Sequence, residues 1–329
     1  MATIGILGAG TWGTALARLL YLNGHSVTIW SAIPAELETM QQTHRHPKLP
    51  GVEIPDGLRY TPDLCTACSG ADLLVFAVPS VFIRQVAAAA APYIAPETIL
   101  VSVAKGIEPE TFFSMTDVIR DAIGETANPL VALSGPTHAE EVGVDLPTTI
   151  VSASDDPAAA ETVQRVFSNP FLRTYTNSDV RGVELCGAMK NIIALAAGVS
   201  DGIGYGDNAK AALITRGMVE IARLGEAMGC DRATFYGLAG IGDLIVTATS
   251  RHSRNNRAGY LLGAGRTAEQ AVQEVGMVVE GLNALPAALG LSKRYNVELP
   301  ITFGVNEIVH GADPKTIVNR LMNRAYKGE

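Results

Sequence analysis

The stretch that decides the fold is residues 8–13, which read Gly-Ala-Gly-Thr-Trp-Gly and match the pattern G-x-G-x-x-G. A short apolar run, Thr3 to Leu7, precedes it, and a helix-like segment, Thr14 to Leu22, follows it. A strand that enters a glycine turn and continues as a helix is typical of the phosphate-binding unit of a dinucleotide site. We therefore predict that the N-terminal segment binds a dinucleotide.

Each glycine of this turn has its own physical role. Gly8 permits the tight turn, Gly10 lets the backbone approach a pyrophosphate, and Gly13 lets the helix pack closely on the strand. The first N–H groups of the helix that follows the turn favour a bound phosphate.

The choice between NAD and NADP depends on the end of the second strand, which spans Ser26 to Trp30. An acidic residue there accepts hydrogen bonds from the ribose hydroxyls of NAD, whereas an arginine binds the 2′-phosphate of NADP. The chain continues as Ser31-Ala32-Ile33 and offers neither residue type. The strand end therefore neither repels NADP nor selects it strongly.

The rest of the N-terminal half alternates apolar runs with helix-like segments such as Phe82 to Ala91 and Pro157 to Phe167. Short apolar runs bounded by Gly, Pro or Ser are typical of buried parallel strands. The runs are Thr3 to Leu7, Ser26 to Trp30, Leu73 to Val78, Ile99 to Ala104, Leu130 to Leu133, Thr148 to Ser152 and Leu172 to Tyr175. The pattern predicts an α/β fold with a doubly wound sheet.

The pattern becomes long and helical after Asp179. The helical segments are Val180 to Val199, Ala209 to Met228, Thr267 to Val275, Asn283 to Tyr295 and a last helix from Pro314 onward. A chain of 329 residues suits two domains of roughly 100 to 200 residues each. We predict a Rossmann-type dinucleotide-binding domain over residues 1–179 and an all-α substrate-binding domain over residues 180–329.

Composition limits the partners and the location. The formal net charge of -8 disfavours a general attraction to nucleic acid or to an anionic membrane. The N-terminus lacks the pattern of a signal peptide, and the apolar stretch Leu185 to Val199 is shorter than a membrane span. We expect a cytoplasmic protein without membrane insertion.

The four cysteines are too few for a disulfide framework. Cys65 and Cys68 form a C-x-x-C, but no second cysteine pair stands at zinc-ligand spacing, so we expect ordinary thiols and no metal site. His44 and His46 lie in a proline-containing loop, which suits solvated histidines as well as metal ligands. A redox role for the two cysteines stays open.

Lys190 is the only charged residue between Leu185 and Ser200. Burying an ammonium group is costly, so such a lysine is paired, shifted in pKa or functional. A desolvated lysine can give a proton to a carbonyl oxygen as a hydride arrives, and take it back in the reverse reaction. The alternative is a lysine at the core edge whose ammonium reaches solvent.

Lys105 and Asp243 are further candidates. Lys105 follows the run Ile99 to Ala104, on the side where open α/β sheets bind ligands, although capping a helix is an alternative. Asp243 follows a glycine-rich stretch and precedes an apolar run. Its carboxylate either pairs with Lys190 or caps a helix.

Arg251, Arg254 and Arg257 recur at a spacing of three, with serine and asparagine between them. That spacing places them near one face of a helix, and arginine with asparagine and serine suits a phosphate. The alternative is a solvated basic face. The negative net charge makes a small phosphorylated ligand a better partner than nucleic acid.

Taken together, these features resemble bacterial-type glycerol-3-phosphate dehydrogenases over essentially the whole chain. The segments that carry the resemblance are residues 8–13, Ser134 to Ala139, Gly187 to Asn191 with Ser200 to Gly204, Gly240 to Leu244, Ser253 to Asn255, and Val279 to Gly281. The resemblance implies reversible reduction of dihydroxyacetone phosphate to sn-glycerol 3-phosphate with NADH or NADPH, which supplies glycerophospholipid synthesis. It also suggests a homodimer.

The resemblance implies roles for individual residues. Lys190 would be the general acid or base, and Lys105, Asp243 and Thr247 would complete the catalytic group. The substrate-binding residues would be Lys105, Gly135, Thr137, Lys190, Asp243, Ser253, Arg254 and Asn255. The cofactor-binding residues would be Gly8, Gly10, Thr11, Trp12, Gly13, Ser31, Ala32, Lys105, Ala139, Arg254, Val278 and Glu280. Many relatives carry a basic residue just after the second strand, where this chain has Ala32, so a firm preference for NADP is not implied.

Three rival functions are weaker. A β-hydroxyacid dehydrogenase has the same two-domain plan and a helix lysine, but usually with an asparagine four residues later, where this chain has Ala194. A 3-hydroxyacyl-CoA dehydrogenase needs a histidine and glutamate pair, and His252 is the only histidine in the motif region of the helical domain. A non-catalytic nucleotide-sensing module need not retain Lys190, Lys105 and Asp243 together.

Overall fold

The structure, a computed structural model, describes residues 1–124, 126–325 and 328. These residues form two compact units. The first unit comprises Met1–Lys105 and Phe113–Glu184, and the second comprises Gly106–Phe112 and the described residues from Leu185 onward. Residues 326, 327 and 329, which the predicted helical domain includes, lie outside the described residues.

The first unit is built on one sheet, which contains eight strands in the part of the chain that the structure describes. They are β1 (Thr3–Leu7), β2 (Ser26–Trp30), β3 (Arg59–Thr61), β4 (Leu73–Phe76), β5 (Ile99–Ser102), β6 (Leu130–Ser134), β7 (Thr148–Ala153) and β8 (Leu172–Asn177). Their order is β3-β2-β1-β4-β5-β6-β7-β8. Neighbouring strands are parallel except β6 and β7, which pair antiparallel. The order reverses between β1 and β4, and open α/β sheets bind ligands at such a switch point.

Side-chain alternation explains why the strands are apolar throughout. Ile6 of β1 and Val75 of β4 belong to one buried cluster, while their neighbours Leu7 and Leu74 belong to another. Successive side chains of a strand point to opposite faces of a sheet. Both faces of the sheet are therefore covered, as in doubly wound folds, and each position of a central strand needs an apolar side chain.

Helices connect the strands of the first unit. Those whose residues all lie in this unit are α1 (Thr11–Leu22), α2 (Pro34–Thr43), α3 (Leu64–Cys68), α4 (Ile83–Ala90), α5 (Met115–Ile123), α6 (Ala139–Val142) and α7 (Pro157–Phe167). Helix α8 (Val180–Ile203) begins in the first unit and ends in the second. The remaining helices are α9 (Asp207–Ala227), α10 (Arg232–Phe235), α11 (Asp243–Thr249), α12 (Arg254–Gly263), α13 (Ala268–Val275), α14 (Glu280–Tyr295), α15 (Pro300–Val309) and α16 (Pro314–Met322).

The predicted combination of a doubly wound sheet and an all-α region is confirmed. Strands β1 and β2 and helix α7 have the predicted bounds. Helix α1 begins at Thr11, three residues earlier than predicted, because the glycine turn passes directly into helical backbone. Strand β3 is not predicted, since a three-residue strand shows no measurable alternation.

Helix α8 is the central helix of the second unit. Its side chains from Leu185 to Val199 are buried, and Met189, Ile192 and Ile193 are part of the unit's core. Within the described residues it is the one helix long and apolar enough to cross a membrane, and the apolar window that meets this test is 100% buried. Such burial is typical of a core helix.

Glycines allow α8 and α12 to contact each other backbone to backbone. A Cβ atom at Gly198 would lie 2.0 Å from a carbonyl oxygen of α12, and one at Gly259 would lie 2.1 Å from a carbonyl oxygen of α8. One turn further along, Gly202 and Gly263 repeat the arrangement at 2.2 and 2.3 Å. The helices are therefore closer than any larger residue at these positions permits.

Glu220 of α9 is a buried carboxylate that caps another helix. It accepts hydrogen bonds from the backbone N–H groups of Ile301, at 2.6 Å, and Thr302, at 3.3 Å, in the first turn of α15. These donors have no partner within their own helix, so the carboxylate replaces the missing acceptors. Burial nevertheless raises the pKa of Glu220 to about 7, while these hydrogen bonds oppose the rise.

We expect Gly198→Ala to lower the free energy of unfolding by on the order of 1–3 kcal/mol, because the new methyl group forces α8 and α12 apart. Chemical denaturation of the purified protein measures this loss. Gly206→Ala is the control, since a Cβ there has no neighbour within 4 Å and its φ of -88° is ordinary. Equal losses in the two variants would contradict the close-contact explanation.

Glu220 generates a pH-dependent prediction. Its pKa is raised from 4.5 in the unfolded chain to about 7 in the folded protein, so the folded state binds more protons between these pH values. Its contribution is therefore fully present below pH 4.5, and it is lost as the pH rises through about 7. Between pH 4.5 and about 7, the unfolding free energy of the intact protein should fall by about 3 kcal/mol because of Glu220. We expect this fall to be absent in Glu220→Gln. Denaturation series at pH 5, 6, 7 and 8 test it, and an unchanged decline in the variant would refute it.

Candidate active site

The glycine turn of the first unit has the backbone geometry that the sequence requires. Gly8 has a φ of +126°, and a Cβ there would lie 2.7 Å from the backbone of Ala77. A Cβ at Gly13 would lie 2.1 Å from the carbonyl oxygen of Gly8. Both positions therefore exclude larger residues. Gly8 does so through its positive φ and its close contact, and Gly13 through its close contact alone.

Gly10 differs from the other two glycines, because a Cβ there would have no neighbour within 4 Å. Gly10 is also the N-cap residue of α1. It has no side chain that could accept a hydrogen bond from the first N–H groups of the helix, and the first turn of α1 contains no acidic residue. The helix start thus presents peptide N–H groups and the positive end of the helix dipole beside open space. These residues suit the pyrophosphate of a dinucleotide.

The end of β2 lies beside the same turn. The backbone N–H of Gly8 donates to the carbonyl oxygen of Trp30 at 2.9 Å. Ser31 is buried, whereas Ala32 is exposed. The Ser31 hydroxyl accepts a hydrogen bond from the backbone N–H of Ile33 and donates one to the carboxylate of Glu36, each at 3.1 Å. Glu36, which the sequence analysis did not single out, therefore brings an acidic group to this strand end.

Trp12 and Ala139, both predicted to contact the cofactor, lie together in the first unit. Trp12 is half-buried and packs against a small cluster that contains Leu49, Val52 and Ala139. The two residues therefore belong to one packed group.

Lys105, Gly135 and Thr137 form a second group in the first unit. The carbonyl oxygen of Gly135 accepts hydrogen bonds from the Lys105 ammonium at 3.0 Å and from the Thr137 hydroxyl at 3.1 Å. Lys105 follows the carboxyl end of β5, and Gly135 follows that of β6. Because β5 and β6 are parallel neighbours, the chain places all three residues at one edge of the sheet.

Lys190 lies on the buried part of α8, and only 5% of its surface is exposed. Its ammonium donates to the carboxylate of Asp243 and, at 2.7 Å, to the hydroxyl of Thr247. The hydroxyl of Thr247 in turn donates to the backbone carbonyl of Asp243 at 2.7 Å. The ammonium is thus held inside the protein by an ion pair and a hydroxyl acceptor, and it does not reach out to solvent.

A kink sets the position of Asp243. The chain departs from helical geometry at Gly240, with φ of -91° and ψ of -105°, just before α11 begins at Asp243. A Cβ at Gly240 would lie 2.1 Å from the carbonyl oxygen of Phe235. Asp243 and Thr247 then follow one helical turn apart on α11, so both side chains reach Lys190.

A chain of amide hydrogen bonds runs beside this group. Asn255 donates from its side-chain amide to that of Asn191 at 2.9 Å and accepts from the backbone N–H of Gly281 at 2.8 Å. Asn191 directly follows Lys190 on α8. Its place in the segment Gly187 to Asn191 is the sequence feature that could have identified it as a site residue. The segments at Lys190, Asn255 and Gly281, which are far apart in sequence, therefore meet.

The predicted phosphate residues differ in burial. Ser253 is the N-cap of α12, and its hydroxyl accepts from the backbone N–H of Asn256 at 3.2 Å. Arg254 is half-buried, whereas Arg251 and Arg257 are exposed. Arg254, at the helix start and beside buried Asn255, is therefore the arginine best placed to bind a phosphate.

Val278 and Glu280, predicted to contact the cofactor, precede and begin α14. Both are half-buried. A Cβ at Gly281 would lie 2.6 Å from the carbonyl oxygen of Asn191, so the start of α14 packs directly on α8. The predicted site residues therefore fall into groups within each unit, and Glu280 lies next to the Asn191 and Asn255 pair.

The C-x-x-C segment shows no sign of an activated thiol. Cys65 and Cys68 are free, and burial together with the neighbouring Cys65 and Asp63 raises the pKa of Cys68 to about 12. Thiolate formation at neutral pH is therefore disfavoured at Cys68.

Comparison with known proteins identifies the family of this chain. Residues 3–160 match the family model for the N-terminus of NAD-dependent glycerol-3-phosphate dehydrogenase, and residues 179–319 match the model for its C-terminus. The chain is 58% identical, over 100% of its length and 99% of the relative's, to glycerol-3-phosphate dehydrogenase [NAD(P)+] 2 of Lactobacillus delbrueckii subsp. bulgaricus. It is 47% identical to glycerol-3-phosphate dehydrogenase [NAD(P)+] of Bacillus subtilis, over 100% of the chain and 96% of the relative.

A solved structure agrees with this result. Glycerol-3-phosphate dehydrogenase from Coxiella burnetii superimposes with a TM-score of 0.93 and 37% identity, over 98% of this chain and 99% of the other. Full-length matches of this kind cover the glycine turn, the Lys190 group and the Arg254 segment together. The chain belongs to the NAD-dependent glycerol-3-phosphate dehydrogenase family.

Proposed function

We propose that this chain reversibly reduces dihydroxyacetone phosphate to sn-glycerol 3-phosphate, with NADH or NADPH as the hydride donor, and so supplies glycerophospholipid synthesis. The observation that carries the proposal is the buried Lys190 ammonium, held between Asp243 and Thr247 beside the Asn191 and Asn255 amides. When bound, NADH or NADPH supplies a hydride, which adds two electrons and one hydrogen to the ketone carbon.

Lys190 supplies the proton that completes the reduction. As the C2 carbon of the substrate accepts the hydride, its carbonyl π bond breaks and negative charge develops on the oxygen. The Lys190 ammonium transfers a proton to that oxygen, which gives the alcohol, and the neutral amine accepts the proton in the reverse direction. Asp243 and Thr247 hold the nitrogen in one position during both steps.

The remaining site residues bind and orient. Arg254 pairs with the substrate phosphate, with Asn255 and the helix start at Ser253 as neutral donors. Lys105, Gly135 and Thr137 contact the substrate, and Lys105 adds positive charge where the ketone becomes polarised. The glycine turn holds the cofactor pyrophosphate. Further cofactor contacts come from Thr11, Trp12, Ser31, Ala32, Lys105, Ala139, Arg254, Val278 and Glu280.

The proposal extends to location and assembly. We place the protein in the cytoplasm as a homodimer that binds neither nucleic acid nor membrane. The support is the formal net charge of -8, which repels phosphate-rich polymers, and the tendency of helical domains to associate symmetrically. Light scattering after size exclusion measures the mass in solution.

The Lys190 assignment predicts the behaviour of two variants. We expect Lys190→Ala to lower kcat by about 10²- to 10⁴-fold, because the variant lacks the assigned general acid. Lys190→Arg keeps the charge but not the ability to release a proton, so it should be similarly slow. NAD(P)H absorbance with dihydroxyacetone phosphate measures both, and circular dichroism checks folding. Lys293→Ala, an exposed lysine on α14, is the matched control. Full activity in folded Lys190→Arg would refute the role, and absence of activity in the intact chain at any pH would refute the function.

The Arg254 assignment predicts a defect specific to phosphorylated substrate. We expect Arg254→Ala to raise KM for dihydroxyacetone phosphate by about 10- to 100-fold, which is the value of a hydrogen bond to a charged group. Arg257→Ala, on the exposed part of the same helix, should change KM little. Unphosphorylated dihydroxyacetone should be a poor substrate of the intact chain and insensitive to Arg254→Ala. Equal use of the two ketones by the intact chain would show that the phosphate site is wrongly placed.

A further inference from the structure

The strand end that discriminates NAD from NADP lacks an acidic residue in the sequence, yet the folded chain supplies one. Glu36 lies in the first turn of α2, six positions beyond the end of β2 at Trp30. Its carboxylate accepts a hydrogen bond from the Ser31 hydroxyl at 3.1 Å. The acidic group therefore lies at the carboxyl end of β2, although its own backbone does not.

The Ser31 hydroxyl holds the carboxylate in a defined direction. Ser31 is 5% exposed, and its oxygen also accepts the backbone N–H of Ile33 at 3.1 Å. With that acceptor position filled, the hydroxyl proton is directed to Glu36. A fixed carboxylate is a better acceptor for a diol than a mobile one, because less side-chain freedom is lost on binding.

The glycine turn lies next to this group. Gly8 donates its N–H to the carbonyl of Trp30 at 2.9 Å, which joins the turn to the end of β2. The Glu36 carboxylate acts on the His46 ring, since its charge raises the pKa of that ring. Glu36 therefore lies at the same strand end that the glycine turn contacts through Trp30.

His46 and Lys48 are two further ionisable groups to consider beside Glu36. Burial lowers the pKa of His46, so its ring is neutral at pH 7 and does not compensate the carboxylate. Lys48 is exposed, and its charge opposes that of Glu36 at the His46 ring. Arginine, which would grip a 2′-phosphate in a fork of hydrogen bonds, is absent from residues 31–36.

We propose that Glu36, positioned by Ser31, is the residue that makes this enzyme favour NADH over NADPH. The adenosine ribose of a dinucleotide lies between the glycine turn and the end of the second strand. Its 2′- and 3′-hydroxyls donate to a carboxylate there, whereas a 2′-phosphate would meet a like charge. The inference rests on the cofactor site assigned to the glycine turn.

The central experiment replaces Glu36 with glutamine, which keeps the size of the side chain and its acceptor for Ser31 but removes the charge. Isothermal titration calorimetry gives Kd for NADH and for NADPH, and steady-state kinetics gives kcat/KM for each. We expect the intact chain to bind NADH more tightly, and the preference to fall by about tenfold or more in Glu36→Gln, because like charges at close range are strongly unfavourable. Most of the change should be a gain in NADPH binding.

Two further variants separate the local carboxylate from general effects. Glu36 and Glu38 are both exposed residues of α2, so Glu38→Gln removes the same charge from the same helix at a different position, and it should leave the preference unchanged. Ser31→Ala removes the positioning hydroxyl but not the charge, so it should weaken NADH binding while NADPH stays disfavoured. Circular dichroism and the denaturation midpoint of Glu36→Gln should match those of the intact chain, which a misfolded variant would not show.

The outcomes are distinct. An unchanged preference in Glu36→Gln, or an equal change in Glu38→Gln, overturns the role of Glu36 while leaving the cofactor site intact. An intact chain that already prefers NADPH also overturns it. Failure of the intact chain to bind either dinucleotide overturns both this inference and the cofactor site on which it depends.

Discussion

The burial of one ammonium group organises the chemistry of the second unit. Removing an ion from water costs several kcal/mol, and the cost is recovered only when a counter-ion and hydrogen-bond acceptors surround it. Asp243 and Thr247 provide that environment for Lys190. The kink at Gly240 directly precedes α11, and the glycine contacts allow α12 to approach α8 closely. The resulting group is the one to which we assign proton transfer to the ketone.

The first unit meets a different constraint, which is to bring backbone close to a phosphate. Gly8 and Gly13 cannot carry a side chain, because a Cβ at either would overlap backbone atoms. Gly10 leaves open space in front of the uncapped start of α1. The positive charge that this turn offers to a phosphate therefore comes largely from peptide groups, which are fixed by the fold and independent of pH.

Family membership decides between the functions that isolated motifs leave open. The glycine turn is shared by many dehydrogenases, and a helix lysine by several of them. The full-length match to glycerol-3-phosphate dehydrogenases favours that function over a β-hydroxyacid dehydrogenase and over a nucleotide-sensing module. Fold alone would not have done so, because the same sheet serves many substrates.

The amino-acid sequence by itself determines the sheet, the glycine turn and the identity of the central helix, because local periodicity and glycine placement act over neighbouring residues. It also singles out Lys190, since a lone charge in an apolar helix is visible without any contact. Only the tertiary structure shows that Asp243 pairs with Lys190. It also shows that Asn255 donates a hydrogen bond to Asn191, and that the Glu36 carboxylate accepts one from Ser31 at the end of β2. Each of these contacts joins side chains from different elements. Hydrogen bonds of that kind depend on the positions of whole helices and strands, which the spacing of residues along the chain does not reveal.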